Sequence, residues 1–185
     1  MKTVVNQSTL EIVQGDITQE ETEAIGNAAN SALAGGSGVD GAIHRAGGPS
    51  IMSELKTKYE DCPTNSAVIT SDGKLKAKYV IHAVGPRYSR TFRDAELLAS
   101  VYRKSLELCS RNKISSVAFP SISTGIYGYP VEEASRIALK TTRDYLEDHP
   151  DIKLVRIVLF DSNTYRAYEE ALRELGTLDN ELSRA

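Results

Sequence analysis

The run from Leu154 to Phe160 most constrains the fold, because it is continuously apolar except for Arg156. A strand that is apolar on both faces must be covered on both faces, which is typical of a parallel sheet between two layers of helices. The segments before and after it, Val131 to Tyr145 and Tyr165 to Leu175, carry apolar residues at helical spacing. This alternation predicts an α/β fold with a mostly parallel sheet.

The same alternation extends toward the N terminus. Further strands are predicted at residues 10–13 (with 4–5 as an edge partner), 24–28, 67–70, 79–84 and 116–119. Further helices are predicted from Asp40 to Ala46, Pro49 to Tyr59, Asp94 to Arg111 and from Pro130 onward. Thr18 and Glu21 have capping-box spacing, which predicts a short helix from Thr18. Asp72-Gly73 indicates a hairpin turn between two of the strands.

The chain is expected to form one domain over residues 1–185. Its length falls within the ordinary size of single domains, and we find no internal repeat or linker. The motifs described below lie between about residues 10 and 175, and the polar tail from Thr177 to Ala185 is expected to be frayed. We expect a monomer, because no exposed apolar stripe stands out.

Composition restricts the classes of function. With 41% hydrophobic and 25% charged residues, the chain has ordinary globular composition. No segment approaches the roughly 18 apolar residues of a membrane helix, so we expect a cytoplasmic protein without a membrane partner. The net charge of −3 disfavours nucleic acid as a partner but leaves room for a local basic patch. Cys62 and Cys109 are too few for a disulfide framework or a zinc site, and we expect reduced thiols.

Two glycine-rich loops, Gly35 to Gly41 and Ser121 to Gly128, each lead into a predicted helix start. Free backbone N–H groups and the helix dipole favour phosphate at such a position. In open α/β sheets ligands bind beyond the carboxyl ends of the strands, so two such loops at one sheet edge suggest a diphosphate. The alternative is that the glycines only make tight turns.

The segment Gly36 to Gly41 matches the dinucleotide-binding pattern G-x-G-x-x-G, and Glu60 and Asp61 lie about 20 residues further on. The context does not fit, because the pattern should follow the first strand and its acidic residue should end the second. Residues 58–63 do not have the composition of a strand. A G-x-x-x-x-G-K-[ST] motif is also missing from the sequence, which argues against nucleoside triphosphate hydrolysis.

Two amides and a carboxylate flank the first glycine loop. Asn27 and Asn30 precede it, and Asp40 lies at its end. An amide can both donate to and accept from a hydroxyl, and a carboxylate can orient or deprotonate a water molecule. The alternative for Asp40 is a helix cap beside a glycine turn.

His44 lies four residues after Asp40, so the two side chains are expected to share a helix face. A His–Asp couple suits acid–base chemistry, but a packed histidine that hydrogen-bonds within the fold is the more common arrangement. The histidines at positions 44, 82 and 149 lack metal-ligand spacing with acidic residues, so we predict neither a metal ion nor another cofactor.

Four separated motifs together resemble the macrodomain family, specifically its MacroD-type branch. They are Gly15-Asp16-Ile17-Thr18, Asn27-Ala28-Ala29-Asn30, Gly35 to Arg45 and Ser121 to Pro130. The resemblance implies a three-layer α/β/α sandwich with a mixed, mostly parallel central sheet. It also implies binding of ADP-ribose, hydrolysis of mono-ADP-ribose from acidic side chains of proteins, and deacetylation of O-acetyl-ADP-ribose.

By this resemblance, Asp16 binds the adenine amino group, the Ile17 N–H lies beside it, and Phe160 stacks on the adenine ring. From the residues alone, Asp16 is equally well an ordinary turn residue and Phe160 a core residue. The resemblance assigns further ligand contacts to Asn27, Gly36, Ser37, Gly38, Val39, Ser123, Thr124, Gly125, Ile126 and Tyr127. The second loop is expected to hold the diphosphate by its N–H groups, with Tyr127 closing over the far ribose.

The resemblance places Asn30 and Asp40 at the far ribose as the catalytic pair. We expect a water molecule to attack with the assistance of Asp40, without a covalent enzyme intermediate. Two competing functions are a reader module that binds ADP-ribose without turnover and a regulator that contacts another protein or RNA. Ser37 and Gly26 depart from the family pattern, and serine adds strain at position 37 if that position needs a positive φ.

Overall fold

The structure is a computed structural model that describes residues 1–182. Its strands are β1 (Lys2–Val5), β2 (Ser8–Gln14), β3 (Ala24–Ala28), β4 (Ser66–Ser71), β5 (Tyr79–Val84), β6 (Ser116–Phe119) and β7 (Leu154–Leu159). Its α-helices are α1 (Gly38–Gly47), α2 (Pro49–Lys58), α3 (Arg93–Arg111), α4 (Val131–Asp148) and α5 (Ser162–Leu182). Every strand and α-helix predicted from the sequence is present, with bounds that differ by a few residues.

The strands form one mixed sheet in the order β1-β2-β7-β6-β3-β5-β4. The five inner strands are parallel to one another, and the two edge strands, β1 and β4, are each antiparallel to the strand beside them. The prediction of a mixed, mostly parallel sheet is therefore confirmed.

Two hydrophobic clusters cover the two faces of the sheet. One cluster packs α3, α4 and α5 against the sheet through side chains such as Leu98, Ala138 and Tyr168. The other packs α1 and α2 against the opposite face through Ile43 and Leu55. The molecule is a three-layer α/β/α sandwich, as the resemblance implied.

Strand β7 lies in the middle of the sheet, and its side chains contribute to both clusters. Ile157 and Leu159 pack on the α3–α5 side, and Val158 packs on the α1–α2 side. Arg156 interrupts the apolar run, but its guanidinium donates hydrogen bonds to Glu11 at 3.0 Å and Glu20 at 3.4 Å. A half-buried charge is tolerated here because two carboxylates accept hydrogen bonds from it.

Gly26 allows close packing between β3 and β6. A Cβ at this position would lie 2.5 Å from a ring carbon of Phe119 and 3.3 Å from Pro120. The intrinsic weakening of a strand by glycine, about 0.5–1 kcal/mol, is offset here by close contact between neighbouring strands.

The hairpin predicted at Asp72-Gly73 is present: β4 and β5 pair antiparallel, and the Leu75 N–H donates to the Asp72 carbonyl at 3.1 Å in the turn that begins their connection. Two local predictions were wrong. The short helix after β2 is a 3-10 helix, Ile17–Gln19, and its cap is Asp16, which accepts hydrogen bonds from the Thr18 N–H at 2.9 Å and hydroxyl at 2.7 Å. Residues 177–182 continue α5 and are not frayed, while residues 183–185 of the predicted tail lie outside the described residues.

Within residues 1–182 we find no helix with the length and apolar character needed to span a bilayer. Cys62 and Cys109 are both free and buried, in agreement with the prediction of reduced thiols.

Candidate active site

The predicted site residues lie at or just after the carboxyl ends of the parallel strands. These ends form one side of the sheet, here called its carboxyl edge. Across that edge the strands come in the order β2, β7, β6, β3 and β5. Four intervals of about 4.8 Å separate β2 from β5, so the edge spans about 19 Å. Residues far apart in sequence thus form one row that suits an extended ligand.

One end of the row is formed by Asp16, Ile17 and Phe160, which follow the neighbouring strands β2 and β7. The carboxylate of Asp16 is exposed and caps the 3-10 helix, while the Ile17 side chain is buried. The Phe160 side chain is 79% exposed. The alternative of a core phenylalanine is therefore wrong, and the ring is free to stack on a ligand.

The loop after β6 occupies the middle of the row. Its own hydrogen bonds hold it: the Thr124 hydroxyl donates to Ser121 Oγ at 2.7 Å, and the Tyr129 N–H donates to the Ser123 carbonyl at 2.9 Å. Gly125 and Ile126 are exposed, with the Ile126 side chain 86% exposed. The loop is therefore ordered by internal contacts while part of it faces solvent.

Ser123 is buried at the base of this loop and adopts a φ of +69°, in the left-handed region. Its hydroxyl has no hydrogen-bond partner within the described part of the chain. A Cβ at Gly85 would overlap this hydroxyl, so only glycine fits at that position after β5. A non-glycine residue in this conformation stores strain of about 1–3 kcal/mol, which is often found at functional sites.

The first glycine loop lies before α1. Gly35 and Gly38 have φ angles of +79° and +59°, so they supply the backbone conformations that favour glycine. Ser37, the residue before α1, has a φ of −96° and a ψ of −171°. This extended conformation is open to any residue, so the condition under which Ser37 would add strain, a positive φ, is not met.

Asn30 holds the first glycine loop in place. Its Nδ2 donates to the Gly35 carbonyl at 2.9 Å, and its Oδ1 accepts from the Ala34 N–H at 3.1 Å. Each polar atom of this amide keeps one further hydrogen-bonding position. Asn30 also lines a cleft of about 540 Å³ at this end of the row.

Asp40 lies in the first turn of α1 and is buried. Its Oδ1 accepts a hydrogen bond from Asn27 Nδ2 at 2.7 Å and lies 3.3 Å from His44 Nε2. Its Oδ2 lies 3.3 Å from the place that a Cβ at Gly36 would occupy, beneath the glycine loop. The cap residue of α1 is Ser37, so the alternative that Asp40 is a simple helix cap is wrong.

The two oxygens of Asp40 have different surroundings. Oδ1 is held by Asn27 and His44, whereas Oδ2 accepts no hydrogen bond from any residue whose side chain is described. The side chain keeps 8% of its accessible surface. One oxygen therefore anchors the carboxylate, and the other is left to act on a ligand or a water molecule.

A buried hydrogen-bond chain lies behind Asp40. Asn27 Nδ2 contacts His82 Nδ1 at 3.2 Å, and His82 Nε2 contacts the Thr70 hydroxyl at 2.9 Å. This hydroxyl donates to the Ser71 carbonyl at 3.0 Å, so it accepts from His82. His82 therefore carries its proton on Nε2 and accepts from Asn27 on Nδ1.

Burial lowers the pKa of His82 to about 3, with a smaller contribution from His44. The ring is therefore neutral near neutral pH and can serve as a hydrogen-bond acceptor for Asn27. Asn27 in turn is fully buried, and its Oδ1 has no partner among the described residues. The chain fixes the orientation of Asn27 and, through it, the anchored oxygen of Asp40.

Several residues that line the cleft beside Asn30, here called the distal cleft, were not predicted from the sequence. Its lining comprises Asn30, Ser31, Ala32, Ala34, Thr64, Gly85, Arg87 and Tyr127. The Arg87 guanidinium lies 4.9 Å from the centre of the Tyr127 ring, which is a cation–π contact. Gly85-Pro86-Arg87 directly follows β5, so its position after a parallel strand was a usable signal.

The predicted residues fall into three groups. Asn30 and Tyr127 line the same cleft, Asn27 and Asp40 share a hydrogen bond, and Asp16 and Phe160 lie together at the far end of the row. Asn30 and Asp40 do not contact each other by hydrogen bond; the glycine loop lies between them. Among the described residues, no three His, Cys, Asp or Glu side chains are arranged to hold a metal ion.

The fold and the site define an α/β/α domain with two glycine-rich loops and an elongated ligand site at the carboxyl edge of its sheet. The family model of the Macro domain matches residues 26–138, more than half of the chain. The chain belongs to the Macro domain family.

Known proteins similar to this chain include a macro domain-containing protein from Caldanaerobacter subterraneus. It is 54% identical over 170 residues, which cover 90% of this chain and 97% of that protein. An O-acetyl-ADP-ribose deacetylase from Cronobacter turicensis is 48% identical over 88% of this chain and 95% of its own length.

Among solved structures, the chain is similar to the Oceanobacillus iheyensis macrodomain with ADP. The TM-score is 0.90 and the identity 48%, over 95% of this chain and 95% of that one. A variant of the same macrodomain has been solved with ADPR, also at a TM-score of 0.90.

Proposed function

We propose that this protein binds ADP-ribose and hydrolyses esters at its distal ribose. The proposed substrates are O-acetyl-ADP-ribose and mono-ADP-ribose attached to acidic side chains of proteins. The observation that carries this proposal is the carboxylate of Asp40, with one oxygen anchored and the other left without a protein partner beneath the glycine loop.

The row of loops supplies a place for each part of ADP-ribose. Phe160 stacks on the adenine, a contact worth roughly 1–3 kcal/mol, and Asp16 accepts from its amino group. The diphosphate lies between residues 36–39 and residues 123–127, whose backbone N–H groups donate to its oxygens. The distal ribose then reaches the cleft lined by Asn30 and Tyr127.

In the proposed reaction, Oδ2 of Asp40 accepts a proton from the water that attacks the ester. The ester bond breaks, and the products are free ADP-ribose and a carboxylic acid. Asn27 and His44 hold Oδ1, so the carboxylate keeps one orientation throughout. Asn30 uses its remaining hydrogen-bonding positions on a ribose hydroxyl.

The names of similar proteins add support from a second direction. The relative from Cronobacter is called an O-acetyl-ADP-ribose deacetylase, and the Oceanobacillus macrodomain has been solved with ADP. Neither name bears on the attack by water, which rests on the geometry of Asp40, or on protein-linked ADP-ribose, which rests on the resemblance of the sequence motifs to the MacroD-type branch.

The test replaces Asp40 by asparagine, which keeps the shape of the side chain and removes its basicity. We expect release of ADP-ribose from O-acetyl-ADP-ribose and from a mono-ADP-ribosylated acidic protein to fall about 100-fold or more. The affinity for ADP-ribose, measured by calorimetry, should change by less than about threefold, because the variant exchanges one hydrogen bond for another.

Asp40→Ala is the companion variant, because it removes the carboxylate without supplying a new amide. Undiminished release by both variants would remove Asp40 from the mechanism. Tight binding of ADP-ribose by the wild type without turnover of either substrate would instead identify a reader module.

A further inference from the structure

The connection between β5 and α3 carries an unusual concentration of positive charge. Residues 87–93, which we call the basic loop, contain Arg87, Arg90 and Arg93 and no acidic residue. The whole chain has a net charge of −3, so this loop differs in sign from the protein as a whole. All three arginines are exposed.

None of these arginines forms an ion pair with a carboxylate in the part of the chain whose side chains are described. The neighbouring acid, Asp94, is engaged elsewhere: it accepts from the Ser89 hydroxyl at 2.6 Å, the Ser89 N–H at 2.8 Å and the Thr91 N–H at 3.3 Å. The guanidinium groups of Arg90 and Arg93 are therefore left available to an acidic partner, while that of Arg87 lies over the Tyr127 ring.

The same hydrogen bonds hold the basic loop in one conformation. Arg90 has a φ of +61°, in the left-handed region that favours glycine or asparagine. Arg93 lies at the first position of α3, where the helix dipole disfavours a cation. Arg90 therefore has a conformational cost and Arg93 an electrostatic one. Such costs are typical of residues that serve binding and not stability.

The basic loop is joined to the proposed catalytic end. Arg87 lines the cleft beside Tyr127, and the Tyr88 N–H donates to the Tyr127 carbonyl at 2.9 Å. From there the loop runs outward to Phe92, whose side chain is 88% exposed. A group attached to a ligand in the cleft would meet these side chains on leaving it.

We propose that the basic loop docks the acidic segment of a protein that carries mono-ADP-ribose on a glutamate or aspartate. This inference rests on the proposed function, which places the distal ribose in the cleft lined by Arg87. Arg90 and Arg93 pair with carboxylates that flank the modified residue, and Phe92 packs on the peptide. Guanidinium groups suit this task because their forked donors match carboxylates.

The acetyl group of O-acetyl-ADP-ribose is uncharged and has no carboxylate that could pair with Arg90 or Arg93. The basic loop is therefore expected to increase the affinity for the protein-linked substrate and to leave the affinity for O-acetyl-ADP-ribose unchanged. Three guanidiniums in a protein of net charge −3 are a poor match for a long nucleic acid, which needs an extended basic face.

The experiment uses two peptides of equal length, each with one glutamate linked to ADP-ribose through a non-hydrolysable amide analogue of the ester. Aspartates flank the glutamate in one peptide and asparagines in the other. At low salt we expect the wild type to bind the acidic peptide roughly fivefold more tightly, as two exposed ion pairs would provide. Fluorescence anisotropy measures both affinities, and added salt should reduce the difference.

The double variant Arg90→Ala/Arg93→Ala should bind the two peptides equally. Its affinity for free ADP-ribose and its rate on O-acetyl-ADP-ribose should match those of the wild type. Arg103→Ala is the matched control: Arg103 is also exposed on α3 but lies ten positions beyond Arg93, and it should keep the preference.

Equal binding of the two peptides by the wild type would overturn the inference, as would a loss of free ADP-ribose affinity in the double variant. Competition by a single-stranded RNA at the concentration of the acidic peptide would assign the loop to nucleic acid instead. A preference for the acidic peptide without turnover of either ester would uphold the docking site and refute the hydrolase, so the two proposals fail separately.

Discussion

The two ends of the site are built in opposite ways. At the proposed adenine end, Phe160 is 79% exposed and Asp16 is exposed on a short connection. At the distal end, Asn27 and His82 are fully buried and Asp40 is 6% exposed. An exposed side chain contributes to affinity without supporting the fold, whereas a buried polar network contributes to both.

This difference predicts that substitutions at the two ends affect different properties of the protein. Changes at the adenine end should alter binding and leave stability and turnover number unchanged. Changes in the buried chain should alter stability and turnover together. Three experiments test this contrast, beginning with the largest expected effect.

His82→Phe tests the buried end. The substitution keeps an aromatic ring but removes the acceptor for Asn27, so a buried N–H is left without a partner, at a cost of about 2–3 kcal/mol of unfolding free energy. Turnover should also fall, because the orientation of Asn27 and Asp40 is no longer fixed. Urea denaturation measures the first effect and the rate of ADP-ribose release the second. His149→Phe, at a histidine remote from the site, removes a hydrogen bond to the Tyr145 carbonyl, so it should cost about 0.5–1.5 kcal/mol of unfolding free energy but leave turnover unchanged.

Phe160→Ala tests the exposed end. Loss of stacking should weaken ADP-ribose binding by about 1–3 kcal/mol, while the unfolding free energy stays within about 0.5 kcal/mol of the wild type. Calorimetric titration and urea denaturation measure the two quantities. Phe92→Ala removes an equally exposed ring from a different loop and should leave the affinity for free ADP-ribose unchanged. A large loss of stability in Phe160→Ala would contradict the contrast between the two ends.

The pH dependence of stability provides the third test. Burial holds the pKa of His82 at about 3, below its ordinary value of 6.5. Between these values the unfolded chain binds more protons at this position than the folded chain, so the contribution of neutral His82 is complete above pH 6.5 and is lost as the pH falls toward 3. Below pH 6 the difference in unfolding free energy between the wild type and His82→Phe should shrink by up to about 1.4 kcal/mol per pH unit. A difference that stays constant from pH 7 to pH 5 would show instead that the pKa of His82 is the same in the folded and the unfolded chain.

The sequence predicted much of the fold because the relevant signals are local. The apolar run of β7, the helical spacing of α3 and the proline before α4 each depend on a few neighbouring residues. The wrong prediction at Thr18 has the same origin: Asp16 and Thr18 are both good caps two positions apart, and the choice between them depends on a helix of only three residues.

Site residues that lie within one segment could be predicted from the sequence. Contacts between residues of different segments could not. Asn30 and Asp40 stood out because the glycine loop between them is a local pattern. The pairing of Asn27 with His82 and of Arg87 with Tyr127 depends on the order of strands in the sheet, which no single segment encodes. The conformation of Ser37 was left open from the sequence, because a glycine-rich neighbourhood does not specify which of its residues has the positive φ.

The contact between Asn27 and His82 also has a consequence for folding. Asn27 on β3 lies opposite His82 on β5 in the parallel register, and 55 residues of chain separate them. Pairings of this range form slowly, because the intervening chain must first be brought together. A slip of one position along β3 would also point Asn27 to the other face of the sheet. The return of catalytic activity during refolding should therefore lag behind the return of helical signal, and it would report the moment at which the centre of the sheet closes in the correct register.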